Sequence, residues 1–190
     1  MSIVLASASP RRRELMAQIT DEKPVIIPAR GEENPPAGAG PELTVLSLSL
    51  AKAEEVAAKC SQEDVIIAAD TIVSCGGRIL GKPHSESEAE EMLKLLSGRR
   101  HEVYTGVTVI AHGRVLNEAE CSAVYFRELD SEEIKKYIRT GEPMDKAGAY
   151  GIQGKAGVFV EKIEGDYYNI VGLPLCRLCK MLKELGVELI

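Results

Sequence analysis

Residues 3–15 read IVLASASPRRREL. Ile3, Val4, Leu5 and Ala6 form a short apolar run with strand character, while Leu15, Met16 and Ile19 share one face of a helix beginning near Pro10. Ser9 is a good N-cap and Pro10 a good first helical residue, so the stretch reads strand, turn, helix. A helix N-terminus already presents unbonded N–H groups and partial positive charge, which makes Arg11, Arg12 and Arg13 unfavourable there on their own. An anion would relieve the conflict. Phosphate fits, because the Ser7 and Ser9 hydroxyls, backbone N–H groups and guanidinium forks are all donors. The alternative is a solvated basic first turn.

Working outward, PVIIPA (24–29) reads as a second strand, followed by the Pro/Gly-rich loop RGEENPPAGAGPE (30–42) with Glu32 and Glu33. Residues 43–59 give a helix with Leu46, Leu50, Ala53 and Ala57 on one side and Lys52 off that face. DVIIAADTIVSCGGRILGKP (64–83) reads as a buried strand, Asp70, a further strand, a Gly76-Gly77 turn and a returning segment. A third helix carries the capping box Ser87-x-x-Glu90, the apolar face Ala89, Met92, Leu93 and Leu96, and a stop at Gly98. Residues 101–129 form a long hairpin turning at HGR (112–114). A short helix over 131–143 ends at Gly141 and Pro143. GAYGIQGKAG (148–157) cannot be a regular element, and it leads to strand VFVEKI (158–163), YYNIV (167–171) and a closing helix around Leu175, Leu178, Leu182 and Leu185. Strands and helices mix without strict alternation. The fold class is therefore α/β, a mixed central sheet flanked by helices.

With 190 residues the chain suits one domain over 1–190, large enough for a continuous core and with room for two lobes. The net charge of −6 argues against broad nucleic-acid binding, so any polyanion site must be a local pocket. No apolar run is long enough to span a membrane and the N-terminus lacks a cleavable signal pattern, which together predict a cytoplasmic protein. The five cysteines are odd in number and scattered, so reduced thiols are the default. Cys176 and Cys179 form a C-x-x-C, yet there is no second pair and no suitable histidine for zinc.

Asp70 is the most informative single residue. A carboxylate within VIIAADTIV is costly unless partnered, and a metal ion, a lysine or a catalytic proton would each justify it; the bland alternative is an aspartate accepting backbone N–H bonds in a turn. Gly76, Gly81 and Lys82 match the spacing of the G-x-x-x-x-G-K-[ST] phosphate loop, but Pro83 stands where the metal-binding hydroxyl belongs and the surroundings read as a hairpin. That assignment is rejected, and Lys82 stays a candidate partner for phosphate or carboxylate. In DKAGAYGIQG (145–154) the glycines allow close backbone approach, and the Gln153 amide offers one donor group and one acceptor to a flat polar ring edge. A tight loop with a solvent-facing glutamine is the alternative. His84, His101 and His112 are too dispersed for a metal cluster.

Six blocks in order, LASASPRRREL, AADTIV, GKP, SGRRHEVYTGV, GEPMDKAGAYGIQG and IEGDYYNIVGLPL, resemble the Maf family of nucleoside triphosphate pyrophosphatases, most closely its dTTP/UTP branch. The resemblance runs from about Ile3 to the last helix. It implies two lobes around a deep cleft, a Maf/ITPase-like fold that is often dimeric, and hydrolysis between the α and β phosphates of a nucleoside triphosphate. It places the proton acceptor on Asp70, with Lys82 beside it as a catalytic group. Base choice falls on Arg12, Thr71 and Gln153, and phosphate contacts on Ser7, Arg11, Arg12, Lys52 and Lys82. A divalent metal, Mg2+ or Mn2+, would be held by Glu33 and Asp70. One block departs from the family pattern: the usual acidic SDxDE-like run is here Ala29-Arg30-Gly31-Glu32-Glu33, which keeps only the last acid in place and gains an arginine. The same resemblance allows a house-cleaning activity on modified nucleotides, or a non-enzymatic regulator of septum formation and cell division.

Overall fold

The computed structural model describes residues 2–32 and 34–189. Seven strands among them form one mixed sheet in the order β2-β1-β3-β5-β6-β7, with β4 paired to β3. Two short strands and one long one start it. β1 (Ile3–Leu5) lies between β2 (Val25–Ile26) and β3 (Val65–Cys75), parallel to both, in the registers Leu5↔Ile26 and Leu5↔Ile67. β2 is shorter than PVIIPA suggests because Pro24 and Pro28 have no N–H for the ladder. β4 (Arg78–Leu80) returns antiparallel to β3 through Gly76 and Gly77, both at positive φ. β5 (Arg100–Ala111) and β6 (Arg114–Phe126) are joined by His112 and Gly113, φ 52° and 72°, the left-handed pair that matches strand twist in a two-residue hairpin. β7 (Val160–Glu164) pairs antiparallel with β6. It starts two residues later than expected because Lys155–Phe159 coil as a 3-10 helix.

The chain divides into two compact units, residues 1–70, 105–120 and 172–190 in the first, and 71–104 and 121–171 in the second. In the first, α1 (Pro10–Met16), α2 (Pro41–Ala57) and α6 (Leu175–Glu184) accompany β1–β3. Its core includes Val4, Ala6, Ala53, Val56, Ile66 and Ala68. The second unit holds α3 (Glu86–Leu96), α4 (Ser131–Ile138) and the short α5 (Tyr167–Val171). Its core joins Leu93, Leu96 and Ile134 to an aromatic group of Phe126, Tyr137, Tyr150 and Phe159.

Two expectations are corrected. The helix α2 buries Val45, Leu48, Ser49, Ala53 and Val56, so that of the Leu46–Leu50–Ala53–Ala57 stripe only Ala53 is buried. Apolar side chains occupy most of its circumference, so periodicity alone cannot choose the inner face. Close packing chooses it: a Cβ on Gly106 of β5 would come within 2.2 Å of the Val45 carbonyl oxygen, so only glycine lets α2 lie this near. The rotated stripe carries Lys52 inward. The second correction is at α3, whose N-cap is Ser85 and not Ser87: the Ser85 side chain accepts from Glu88 N–H at 3.2 Å, and the Glu88 carboxylate accepts from His84 N–H at 2.7 Å. Glu90, free of a capping role, pairs with Lys94 one turn on at 2.6 Å.

Candidate active site

β1 and β2 end on the same side, and β3 runs on past them. Ala6 N–H donates to the Ile67 carbonyl at 2.8 Å, and immediately beyond stand Ser7 on the β1 end and Asp70 farther along β3. Ligands of parallel α/β sheets collect at these carboxyl ends, where the following helices also point their N-termini. Asp70 is only 7% exposed, and its Oδ1 accepts from Lys52 Nζ at 2.5 Å. The lysine is the partner that its apolar run demanded. The side chain of Lys52 keeps 19% of its surface exposed, so the ion pair reaches solvent on the lysine side.

The basic turn is built as the strand-turn-helix reading expects. Ser9 caps α1 by accepting from Arg12 N–H, with Pro10 as the first helical residue. Ser7, itself buried, accepts from Ser9 N–H and from an Arg12 guanidinium N–H, both at 3.2 Å. Arg12 Nε donates to the Gly172 carbonyl at 2.8 Å. These partners are neutral acceptors. They aim the guanidinium, and Arg11 stands half-buried in the same first turn.

Residues beyond β2 are tied to α2 by Glu55, a residue that sequence reasoning missed. Its carboxylate accepts from Arg30 N–H (2.9 Å) and Gly31 N–H (2.8 Å) and pairs with Lys59 at 2.6 Å. The Lys59 hydrogen bond first, and the Gly31 N–H next, hold the Glu55 carboxyl down at about 2. Glu33, expected as a metal ligand, lies outside the described residues.

The remaining expected residues belong to the second unit. Thr71 follows Asp70 on β3 and is half-buried. Lys82 is exposed just after β4, next to Gly81, whose carbonyl accepts from Gly148 N–H at 3.0 Å. No helix follows Gly81 directly, and the rejected phosphate-loop reading stays rejected. Gln153 is exposed on a turn between 3-10 segments. Thus Ser7, Arg11, Arg12, Lys52 and Asp70 fall in one unit, and Thr71, Lys82 and Gln153 in the other.

The family model described as Maf-like protein matches residues 2–185. The chain belongs to the Maf family. A protein of Thermococcus gammatolerans named dTTP/UTP pyrophosphatase is 52% identical, covering 99% of this chain and 98% of its own length. Proteins with the same name from Bacillus cereus (49% identical, 98% of this chain, 96% of theirs) and Clostridium novyi (47%, all of both chains) are similar. Among solved structures, a HAM1 protein from Coxiella burnetii superposes with a TM-score of 0.52 at 15% identity, covering 97% of this chain and 99% of that one. That likeness is one of fold.

In this Maf chain two structural anchors left no local signal. Glu55 acts on residues 24 and 25 positions earlier, and Glu142 accepts from Lys155 N–H 13 positions later, at 3.1 Å. Among the described residues no group of three or more His, Cys, Asp or Glu is placed to hold a metal ion. No helix of the described residues is long and apolar enough to cross a membrane.

Proposed function

We propose that the protein is a nucleoside triphosphate pyrophosphatase that hydrolyses dTTP and UTP to the monophosphate and pyrophosphate. The observation that carries the chemistry is the buried Asp70–Lys52 pair, with Asp70 on β3 just past the segment paired with β1, in the same unit as the Ser7–Arg12 turn. The shared name of relatives about half identical over nearly their full lengths supports the substrate.

In this reading Asp70 orients a water and takes its proton for in-line attack on the α phosphorus, while Lys52 holds the carboxylate in place. Arg11, Arg12, Lys52 and Lys82 balance the triphosphate charge, which lets pyrophosphate leave already neutralised. Ser7 steadies Arg12 and adds a hydroxyl donor. Thymine and uracil present an N3–H donor flanked by carbonyl acceptors; the Gln153 amide accepts from the first and donates to one of the others, and Arg12 and Thr71 complete base choice. Cytosine reverses that edge and would leave buried groups unpaired.

A divalent cation is part of the proposal. Magnesium binds one or two carboxylates together with substrate phosphates and water, and seldom an all-protein cage, so a single buried carboxylate with a second acid from the 27–40 loop is a donor set that suits it. Asp70 and Glu33 would hold Mg2+ or Mn2+, which when bound supplies charge neutralisation at the phosphates. The cytoplasm is the proposed compartment, in keeping with five cysteines that are odd in number and scattered along the sequence.

Pyrophosphate release from dTTP, UTP, CTP and GTP, each with magnesium or manganese, tests the assignment. Higher kcat/KM for dTTP and UTP is expected. A preference for GTP discards the pyrimidine reading, and no release from any triphosphate discards the enzyme.

A further inference from the structure

We infer that Glu142 is a specificity-positioning residue, whose carboxylate, together with the Tyr137 hydroxyl, holds the turn that presents Gln153. The inference rests on the base-reading role proposed for Gln153 and adds what sets that side chain's place.

Gln153 is the second central residue of a turn closed by Gly154 N–H donating to the Gly151 carbonyl at 3.0 Å. A turn flanked by two glycines has much backbone freedom to lose, so an exposed amide on it reads a ring edge well only if something else fixes the turn. Both ends are fixed from one side. At the first end Gly151 N–H donates to the Tyr137 hydroxyl (3.3 Å), which in turn donates to Glu142 Oε1 (3.0 Å). At the far end Lys155 N–H donates to Glu142 Oε2 (3.1 Å). The two oxygens of one carboxylate therefore govern opposite ends of the turn.

The glycines are explained by the same contacts. A Cβ on Gly154 would come within 2.2 Å of Glu142 Oε1 and 2.7 Å of Oε2, and a Cβ on Gly151 within 2.5 Å of Lys146 Cε. Lys146 Nζ donates to the Glu142 carbonyl at 2.9 Å and pairs with Asp145 at 2.6 Å, which fixes the backbone that carries the carboxylate. Tyr137 is buried, with its ring edge-on to Phe159 at 5.3 Å, so the anchor is rooted in the core of its unit. Glu142 touches neither substrate nor reacting atoms in this scheme. It acts through Gln153.

Two variants probe the anchor by different routes. Glu142→Gln keeps the size of the side chain but sets an amide group against one of the two donors, and Tyr137→Phe removes the hydroxyl while keeping the packed ring. Amide hydrogen exchange across residues 151–155 and kcat/KM for dTTP and CTP are measured for both, with Gln153→Ala in parallel. In Glu142→Gln we expect exchange in that segment to rise, and the dTTP-over-CTP preference to fall, by about tenfold each, the latter mainly through KM for dTTP. Wild-type exchange in both variants overturns the inference, as does faster exchange with an unaltered preference. If Gln153→Ala abolishes the preference and neither anchor variant changes it, the inference alone fails. If Gln153→Ala leaves the preference intact, the base-reading role fails and the inference with it.

Discussion

Acidification from pH 7 to 4.5 should weaken the fold through one histidine. His101 is buried beside Phe126 and Tyr150, with its Nε2 at 2.9 Å from the Tyr150 hydroxyl. Burial is the main cause that pulls its pKa from 6.5 to about 4; the Arg99 backbone works against the shift and the Arg100 charge adds to it. Nδ1 makes no bond of good geometry among the described residues, so the backbone support for a charged ring is weak. The native ring stays neutral down to about pH 4, whereas the unfolded chain takes up a proton below 6.5. Between those values the unfolded state binds more protons, so stability is lost as pH falls through this window. At about 1.4 kcal/mol per unit, the loss reaches about 2 kcal/mol at pH 5 and about 3 kcal/mol once pH 4 is reached, a large part of the usual 5–15 kcal/mol. Glu55 and Glu133, both held at about 2, give up their share only between about 4.5 and 2, so the two effects separate on the pH axis. Urea unfolding followed by circular dichroism is the suitable assay, because the chain has no tryptophan. Wild type should show the slope between pH 6.5 and 4.5, and His101→Phe should lack it. Equal slopes in the two proteins would refute the reasoning.

Gly106→Ala should lower stability by about 3 kcal/mol, since the added methyl meets the Val45 backbone and α2 must move; an unchanged melting temperature would contradict that close approach. The α3 cap can be tested by a pair of variants: Ser85→Ala should cost about 1 kcal/mol and Ser87→Ala much less, read from urea midpoints, and the reverse order would restore the capping box that the structure replaces.

The legible parts of the fold were those written in neighbouring residues. Ser9-Pro10 marks the start of α1 because cap and first-turn chemistry are local, and the alternating runs around His112-Gly113 mark the β5–β6 hairpin for the same reason. Asp70 stood out because a charge in an apolar strand needs a partner, but which partner was hidden. Periodicity sets Lys52 off the inner face, because α2 is apolar on most sides and its rotation is set by a glycine 61 positions after Val45. The choice between Ser85 and Ser87 was open because both are followed three residues later by glutamate. Glu55 and Glu142 were missed for a related reason: each satisfies backbone N–H groups far along the chain, and no periodicity encodes such bonds.

The central claim is that Asp70 takes the proton from the attacking water. Pyrophosphate release from dTTP by Asp70→Asn, measured beside dTTP binding by calorimetry, tests it most directly. Turnover should fall by about 100-fold or more while the nucleotide still binds. Turnover close to that of wild type would remove Asp70 from the chemistry.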